Sequence, residues 1–306
     1  MLHALDVNVL GECVADTIRY NRAHEVTYPG GSAANVAVGL ARLERHVGFY
    51  TCLGDDGHGD LMRAHLQRED VDLVNIATPD ASTPSAIAVL DDSGAASYTF
   101  SVAWATKAPL PVPAGAHLHL GSFPVFLSEA PEQLDSLLTS LEGTCCVSLD
   151  PNVRPELMGD AQRSRERLEA VLRWVDVIKA SDEDIAWLYP DTDPETVARR
   201  WVEQGTALAV VTKGAEGCFA VNAKGVAQVA PFRVDVVDTV GAGDTLMAAL
   251  IDGLMEAGAS GAGAATHLAD LDAEALAAIL ARAARAAAIN VSRAGANPPT
   301  RAELDG

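Results

Sequence analysis

The feature that most constrains this chain is a turn of small residues at Asp238-Thr239-Val240-Gly241-Ala242-Gly243-Asp244. Before it, Phe232-Arg233-Val234 alternates like a short strand. After it, Leu246, Leu250 and Leu254 recur at a helical period. The turn is therefore predicted to open onto a helix N-terminus, where the first amide N–H groups have no intrahelical partner and the helix dipole favours negative charge.

Two readings of this turn are open from its residues alone. Gly241 and Gly243 allow close approach of the backbone, so the amides of Gly241-Ala242-Gly243 can bind an oxyanion or a phosphate. Asp244 could then accept a proton from a hydroxyl held beside that anion hole. The alternative is a tight turn in which Asp244 only caps the helix, and a Gly-x-Gly pattern by itself favours that alternative.

Composition limits the classes of protein that the rest of the chain can form. At 306 residues with 49% apolar residues, it can build one large α/β domain with a small accessory element. No run of residues approaches the ~20 apolar residues that a membrane span requires. The net charge of −20 disfavours nucleic acid and anionic membranes as partners, although a locally positive site for phosphate remains compatible with it.

The cysteines and the N-terminus predict a cytoplasmic protein. The five cysteines are odd in number and lack metal-ligand spacing, which indicates buried, reduced thiols. The N-terminus has neither a basic region nor an apolar stretch of the kind that directs secretion.

The middle of the chain alternates apolar strands with helical stretches. The predicted strands are His117–Leu120, Cys146–Leu149, Val175–Lys179 and Ala207–Thr212, and the predicted helices lie near 130–141, 162–173, 182–188 and 194–204. Such alternation predicts a doubly wound, largely parallel sheet flanked by helices. Polar strings follow the strands at 121–122, 150–154, 179–184 and 212–217, and ligands of such sheets bind beyond the carboxyl ends of the strands. The pattern therefore predicts one shared cleft.

The full turn Asp-Thr-x-Gly-Ala-Gly-Asp resembles the second signature of the ribokinase-like (PfkB) carbohydrate kinases, in which the last aspartate, here Asp244, is the catalytic base. Pro29-Gly30-Gly31-Ser32-Ala33-Ala34-Asn35-Val36-Ala37 resembles the first signature. The resemblance implies that Gly30, Gly31 and Asn35 hold sugar hydroxyls together with Asp16. It runs from Asp16 to Pro299 in the order of the family.

The resemblance also implies one ribokinase-like domain over residues 1–306, with a β-sheet lid inserted in it. Residues 13–28 are predicted to form two short strands around Asn21-Arg22, and segments within 86–105 to form a hairpin around Asp92-Ser93-Gly94. A lid that excludes water matters to a kinase because water competes as phosphoryl acceptor. Lid sheets of relatives often pair to form dimers, so the resemblance leaves a homodimer through the lid as one open option for the oligomeric state. The turn at 52–59 either contacts substrate or caps a helix at 60–68.

Several strings are similar to the family's nucleotide-binding segments. Arg154 is the last residue of Asp-Pro-Asn-x-Arg, and its planar guanidinium group can bind two phosphate oxygens at once. The alternative role for Arg154 is a surface salt bridge with Glu156 or Asp160. The turn with Thr212, Lys213, Gly214 and Gly217 resembles the family's ATP-binding turn. Asn290 belongs to a segment that lies beside adenine in these kinases.

The resemblance also implies metal ions. Where the family usually has Asn-x-x-Glu for Mg²⁺, this chain has Ser181 and Asp184, of which Asp184 is the candidate metal residue. Mg²⁺ keeps several waters and needs few protein ligands, so the substitution is tolerable. Many relatives bind a monovalent cation such as K⁺, and the corresponding candidates here are Asp238, Val240, Arg293 and Gly295, the last three through carbonyls.

The sequence thus predicts an ATP- and Mg²⁺-dependent sugar kinase that phosphorylates a primary hydroxyl. Fructose is the first choice, because residues 29–43 and Leu120-Gly121-Ser122 look most like bacterial fructokinases; ribose and 2-keto-3-deoxygluconate are close behind. A non-catalytic sugar- or nucleotide-binding module on the same fold is the main alternative. A dinucleotide-binding oxidoreductase is disfavoured, because no Gly-x-Gly-x-x-Gly follows the first strand.

Overall fold

A large sheet forms the centre of the protein in a computed structural model that describes residues 5–21, 24–90 and 96–306. Its order is β13-β12-β11-β10-β9-β8-β1-β4-β5. All neighbours from β11 to β5 run parallel, whereas β12 and β13 are antiparallel. The strands are β1 (Val7–Leu10), β4 (Val47–Thr51), β5 (Asp72–Asn75), β8 (His117–Leu120), β9 (Cys146–Leu149), β10 (Val177–Ser181), β11 (Leu208–Thr212), β12 (Cys218–Asn222) and β13 (Gly225–Val229).

Helices cover both faces of this sheet. On one face lie α1 (Ser32–Arg42), α2 (Gly57–Arg68), α9 (Ala242–Glu256), α10 (Ala264–Asp270), α11 (Ala273–Val291) and α12 (Arg301–Asp305). On the other lie α3 (Ser122–Phe126), α4 (Pro131–Leu141), α5 (Pro155–Met158), α6 (Ala161–Leu172), α7 (Asp182–Leu188) and α8 (Pro194–Glu203). Each face buries its own hydrophobic core, as expected for parallel strands that are covered on both sides. The predicted doubly wound α/β fold is confirmed.

A second, smaller sheet stands apart from the first. It has the order β3-β2-β6-β7 and consists of β2 (Val14–Asn21), β3 (His24–Gly30), β6 (Ser85–Leu90) and β7 (Ala96–Ser101). The chain leaves the large sheet after β1, forms β2 and β3, and returns directly into α1. The strands lie where the hairpins were predicted, while Arg22 and the turn at 92–94 are outside the described residues.

The order of the large sheet reverses between β1 and β8, which are hydrogen-bonded neighbours. The carboxyl ends of these two strands lie close together, because the Gly121 amide donates to the Leu10 carbonyl at 2.9 Å. The start of α1 packs against the same point, where a Cβ on Gly11 would collide with Ala33. Such a reversal opens a crevice beyond the carboxyl ends of the strands. The candidate site is therefore expected at this edge of the sheet.

One predicted element is wrong. Phe232-Arg233-Val234 was expected to form a short strand, but residues 230–237 form no strand and most of their side chains are exposed. The physical reason is the lack of a strand to pair with: β13 ends at Val229, and the amide of Val237 instead donates to the Val291 carbonyl at the end of α11. The strand predicted at Val175–Lys179 begins two residues later, at Val177.

A buried carboxylate ties the C-terminal helices to the core. Asp252 of α9 has no exposed surface, and its oxygens accept from Arg45 (2.6 Å), Arg282 (2.7 Å) and Arg301 (2.8 Å). Arg301 also donates to the carbonyl of Leu43. One charge thus joins α9, α11, α12 and the segment after α1.

Replacing Asp252 with asparagine should lower the free energy of unfolding by about 3–5 kcal/mol, because three guanidinium groups would lose a buried counter-charge. Urea unfolding of the purified variant measures this. Asp270→Asn is the matched control: its ion pair with Lys224 is exposed, so about 0–1 kcal/mol is expected. An equal, small effect of the two variants would contradict the role given to Asp252.

Candidate active site

The polar segments predicted to share a cleft do so. A cleft of about 840 Å³ lies beyond the carboxyl ends of the large sheet, and strands β2, β6 and β7 of the second sheet contribute to its wall. The sequence-predicted residues that line it are Asp16, Gly31, Asn35, Arg154, Asp184, Thr212, Lys213, Gly214, Val240, Gly241, Ala242, Gly243 and Asp244. Gly30, Gly217, Asp238, Asn290, Arg293 and Gly295 are not among its lining residues.

Asp244 is clamped between two helix N-termini. It lies in the first turn of α9, where its Oδ1 accepts from the Ser32 hydroxyl at 2.7 Å and its Oδ2 from the Asn35 side-chain amide at 2.8 Å. Ser32 and Asn35 stand in the first turns of α1. The two helices can approach this closely because α1 has glycine, at Gly39, where it packs on Ala248 of α9. The clamp fixes the carboxylate at the cleft surface.

The turn before α9 lines the cleft; the Ala242 amide donates to the Thr239 carbonyl at 3.2 Å, whereas no acceptor is found within the described ranges for the amides of Gly241 and Gly243. Gly241 adopts a left-handed conformation with φ 73°, and no side chain caps the helix. A Cβ on Gly241 would lie 2.6 Å from the Cβ of Ala296, so both its conformation and its packing require glycine. The alternative of Asp244 as a mere cap does not describe this end, because its carboxylate accepts from α1 instead of from its own helix. The geometry is that of an anion hole.

The glycine pair before α1 brings backbone against Asp16. A Cβ on Gly30 would collide with the Asp16 carboxylate, so glycine is needed there for the acid to reach the cleft. The carboxyl of Asp16 keeps an exposed edge toward the cleft. The loss of water around it raises its pKa to about 6, although the nearby Arg154 guanidinium opposes the rise. Asp16 thus binds a proton at higher pH than an ordinary aspartate does.

Sequence reasoning gave no role to three residues of this site, although Lys179 lies in the segment 179–184 that was predicted to share the cleft. Ser32 lies inside the first signature but had no assigned role. Glu12 lines the cleft with its side chain buried, and its carboxylate accepts from the Phe123 amide at 3.2 Å. Burial raises the pKa of Glu12. Lys179 also lines the cleft and pairs with Asp150 at 2.6 Å. Glu12 lies just past the end of β1, and Lys179 opens the polar segment 179–184, which was the available signal.

Arg154 faces the cleft from the loop after β9. Its side chain is exposed and donates to the Val153 carbonyl at 2.9 Å. Within the described part of the chain it makes no ion pair with Glu156 or Asp160, so the salt-bridge alternative is not observed. Lys213, in the turn between β11 and β12, pairs with Glu216 at 3.2 Å. Both cations are available to a ligand that carries negative charge.

Asp184 combines a structural function with a place in the cleft. Its Oδ1 accepts from the Val153 amide and its Oδ2 from the Ser181 amide, both at 2.8 Å, and Ser181 caps α7 in return. The carboxylate is 8% exposed. No group of three or more acids, histidines or cysteines in the described ranges could by itself hold a metal ion. Each Asp184 oxygen keeps a lone pair that could accept a hydrogen bond from water bound to Mg²⁺, so the residue fits such an ion through water.

The segment after α11 folds against the Asp238 turn. Asp238 accepts from the amides of Val240 (3.0 Å) and Gly295 (2.9 Å), and these bonds lower its pKa. Asn290 is fully buried: its side chain donates to the Val240 carbonyl and accepts from the Asn297 amide. From this position Asn290 does not reach the cleft, contrary to expectation, and it orients the turn before α9 instead. Arg293 pairs with Glu303.

The turn at 52–59 has a structural role. Asp56 caps α2 by accepting from the Gly59 amide at 2.8 Å, and it also accepts from the Thr83 amide at 2.9 Å. None of these residues lines the cleft. Of the two roles left open for this turn, the structure displays the capping one.

All five cysteines, each within the described ranges, are buried free thiols. None of the described helices is long and apolar enough to cross a membrane.

A doubly wound sheet, a helix N-terminus without a side-chain cap and the carboxylate held by Ser32 and Asn35 meet in one cleft, an arrangement that suits a phosphotransferase. The model of the pfkB family carbohydrate kinases matches residues 4–303. A fructokinase of Klebsiella pneumoniae is 36% identical over 259 residues, which is 80% of this chain and 83% of the relative. The chain belongs to the pfkB carbohydrate kinase family, and it is an ATP-dependent carbohydrate kinase.

Solved structures agree with this assignment. A fructokinase from Xylella fastidiosa with bound ATP superposes with a TM-score of 0.84 at 26% identity, covering 97% of this chain and 96% of that one. A double-mutant fructokinase from Vibrio cholerae, solved with fructose, ADP and a potassium ion, gives a TM-score of 0.79 at 25% identity and covers 99% and 98% of the two chains.

Gly31→Ala should destabilise the protein by about 1–3 kcal/mol, because Gly31 has φ 101° and an added Cβ would lie 2.7 Å from the Glu12 carbonyl oxygen. Urea unfolding measures the change. Gly57→Ala is the control: at the start of α2 a Cβ has nothing within 4 Å, so an unchanged or slightly raised stability is expected. A neutral Gly31→Ala variant would refute the requirement for glycine at this position.

Proposed function

We propose that this kinase transfers the γ-phosphoryl group of ATP to a primary hydroxyl of fructose, with Asp244 as the base. One observation carries the proposal: Asp244 is clamped by Ser32 and Asn35 at the mouth of the open α9 N-terminus, so a base and an anion hole face the same cleft. The similarity to several fructokinases supports fructose as the acceptor.

The reaction proceeds as an in-line displacement at phosphorus. The sugar hydroxyl gives its proton to the Asp244 carboxylate while its oxygen forms the new bond to the γ-phosphorus. The bond between that phosphorus and the bridging oxygen breaks, and ADP leaves with the electron pair. The hydrogen bonds from Ser32 and Asn35 restrict rotation of the Asp244 carboxylate, which keeps the sugar oxygen in line with the γ-phosphorus.

Charge on the transferred group is stabilised by the Gly241-Ala242-Gly243 amides and by Arg154. In such transfers positioning and electrostatics supply most of the rate enhancement. Mg²⁺, when bound, neutralises charge on the phosphate oxygens, and Asp184 would hold it through water. Thr212, Lys213 and Gly214, from the turn after β11, bind the ATP phosphates on the adjoining part of the cleft. Gly217 shapes that turn with φ 90°.

The second sheet acts as a lid over the sugar. It supplies Asp16, Ala86 and Phe100 to the cleft. Asn35 and Gly31 line the cleft beside them, and Gly30 packs against Asp16. Asp16 accepts hydrogen bonds from sugar hydroxyls, and the apolar residues exclude water. Tyr28 on β3 is 48% exposed, and a homodimer through this sheet stays a prediction.

A monovalent cation such as K⁺ has candidate ligands behind the anion hole. Asp238 already draws Val240 and Gly295 together through its two hydrogen bonds. The carbonyls of Val240, Arg293 and Gly295 are the groups that would complete a site of oxygen ligands. Occupancy there would support the turn that carries the amides of the anion hole.

Turnover of ATP to ADP with Mg²⁺ tests the proposed acceptor. A panel of fructose, ribose, 2-keto-3-deoxygluconate, tagatose, adenosine and a sugar-free blank should give kcat/KM highest for fructose. A higher value for another member would replace fructose as the acceptor while leaving the assignment of Asp244 intact.

Asp244→Asn should lower kcat by about a hundredfold or more while ATP and sugar affinities stay nearly unchanged, because asparagine keeps the shape of the base but accepts no proton. Steady-state kinetics and nucleotide binding measure the two effects. Asp60→Asn, at an exposed position on α2, is the matched control and should behave like wild type. Near-normal turnover by Asp244→Asn would exclude this residue as the base.

The KM for the sugar should rise as pH falls through about 6, because Asp16 is then protonated and accepts fewer hydrogen bonds from sugar hydroxyls. Above that pH the carboxylate is ionised and KM should be constant. Asp150, whose pKa is also raised to about 6, titrates in the same range. The Asp16→Asn variant separates the two groups: if its KM keeps the full pH dependence, Asp16 is not the origin.

A further inference from the structure

A buried ion pair between β10 and the end of β9 has no part in the mechanism above. Lys179 is the third residue of β10, and Asp150 directly follows β9, the neighbouring strand. The Lys179 Nζ lies 2.6 Å from the Asp150 Oδ2, with the side chains 4% and 1% exposed. Replacing such a pair by apolar residues is often neutral or stabilising, so stability alone does not explain it.

Lys179 reaches the anion hole. It lines the cleft, and its Nζ lies 3.1 Å from the position that a Cβ on Gly243 would occupy. Gly243 is in the first turn of α9, beside the amides that open onto the cleft. The ammonium group therefore lies directly against the backbone on which a phosphoryl group would be bound.

Neighbouring carboxylates favour the charged form of Lys179. Burial alone would lower the pKa of Lys179, but the carboxylate of Asp150, together with those of Asp184 and Asp244, raises it. Asp150 is the one side chain that pairs with Nζ within the described ranges. An ammonium group carries three N–H donors, so two stay available to a ligand.

The other cationic side chains that line the described cleft are more exposed to solvent than Lys179. Arg154 is exposed, and Lys213 is 35% exposed and shares its charge with Glu216. Charge–charge attraction grows as water is excluded, so a nearly buried ammonium acts on a phosphate oxygen more strongly than an exposed one. A rigid donor also needs little reorganisation during the reaction.

We propose that Lys179 is a further catalytic residue: its ammonium group contacts the γ-phosphoryl group of ATP beside the Gly241–Gly243 amides and stabilises it during transfer. The contact exists in bound ATP and persists in the transition state. It is absent with ADP, which lacks that group. The inference rests on the proposed function for the position of the phosphoryl group, but not for the identity of the sugar.

Lys179→Met removes the charge and keeps most of the side-chain volume. We expect kcat to fall by about 10²–10³-fold, as on loss of one oxyanion donor. We also expect ATP to bind about tenfold more weakly, whereas ADP affinity changes by less than about threefold. Steady-state kinetics and calorimetric titration with both nucleotides, each with Mg²⁺, measure these quantities.

Two further variants keep the test decisive. Lys179→Met leaves the Asp150 carboxylate buried and unpaired, so the double variant Lys179→Met/Asp150→Asn is examined beside it and should show the same selective loss of ATP affinity. Lys224→Met is the control, because Lys224 makes only an exposed ion pair with Asp270 and should retain wild-type kinetics.

The outcomes are distinct. A folded variant with near-normal kcat, or one that loses ATP and ADP affinity equally, would overturn the contact with the γ-phosphoryl group. A loss of kcat without selective loss of ATP affinity would overturn it as well and assign Lys179 to the support of Asp244. If wild type turns over no sugar of the panel, the proposed acceptor fails, while the comparison of ATP with ADP still decides the role of Lys179.

Discussion

The contact on which the site depends is the clamp of Ser32 and Asn35 on Asp244. It joins the N-terminal turns of two helices that are more than two hundred residues apart in the chain. A carboxylate there is favoured by both helix dipoles and by two directed hydrogen bonds, so its position is set by the fold and not by its own rotamer preference. Gly39 against Ala248 permits the close packing that brings the two turns together. The turn before α9, the first turn of α1 and the Asp244 carboxylate are consequently held together as one unit.

Among the described residues, the cleft carries three cations, Arg154, Lys179 and Lys213, although the whole chain has a net charge of −20. Glu12, Asp16 and Asp244 accumulate at one end, and burial raises the pKa of the first two. Lys179 and Arg154 supply the opposite charge where phosphate is expected. An acidic surface is therefore compatible with an anionic substrate, because interactions inside a cleft that excludes water are stronger than those with distant, solvated charges.

Much of this architecture follows from local sequence. The alternation of apolar strands and helices predicts the doubly wound sheet, because each element needs its own hydrophobic period whatever its neighbours are. The Asp-Thr-x-Gly-Ala-Gly-Asp turn predicts a helix N-terminus without a side-chain cap, since glycine adopts the φ of 73° at Gly241 without strain. The ends of parallel strands meet at one edge, so the polar strings could be assigned to one cleft before their contacts were known.

Other properties exist only in the folded molecule. The strand expected at Phe232–Val234 is absent because strands require a neighbour, which no local pattern reveals. Asn290 is buried and Lys179 lies beside Gly243 because distant segments pack there, although as isolated residues both look like ordinary polar side chains. The sequence by itself determined the fold class and the chemistry of the turns. Tertiary structure decided which side chains face the cleft and which pKa values shift, because burial and distance are set by packing between segments far apart in the chain.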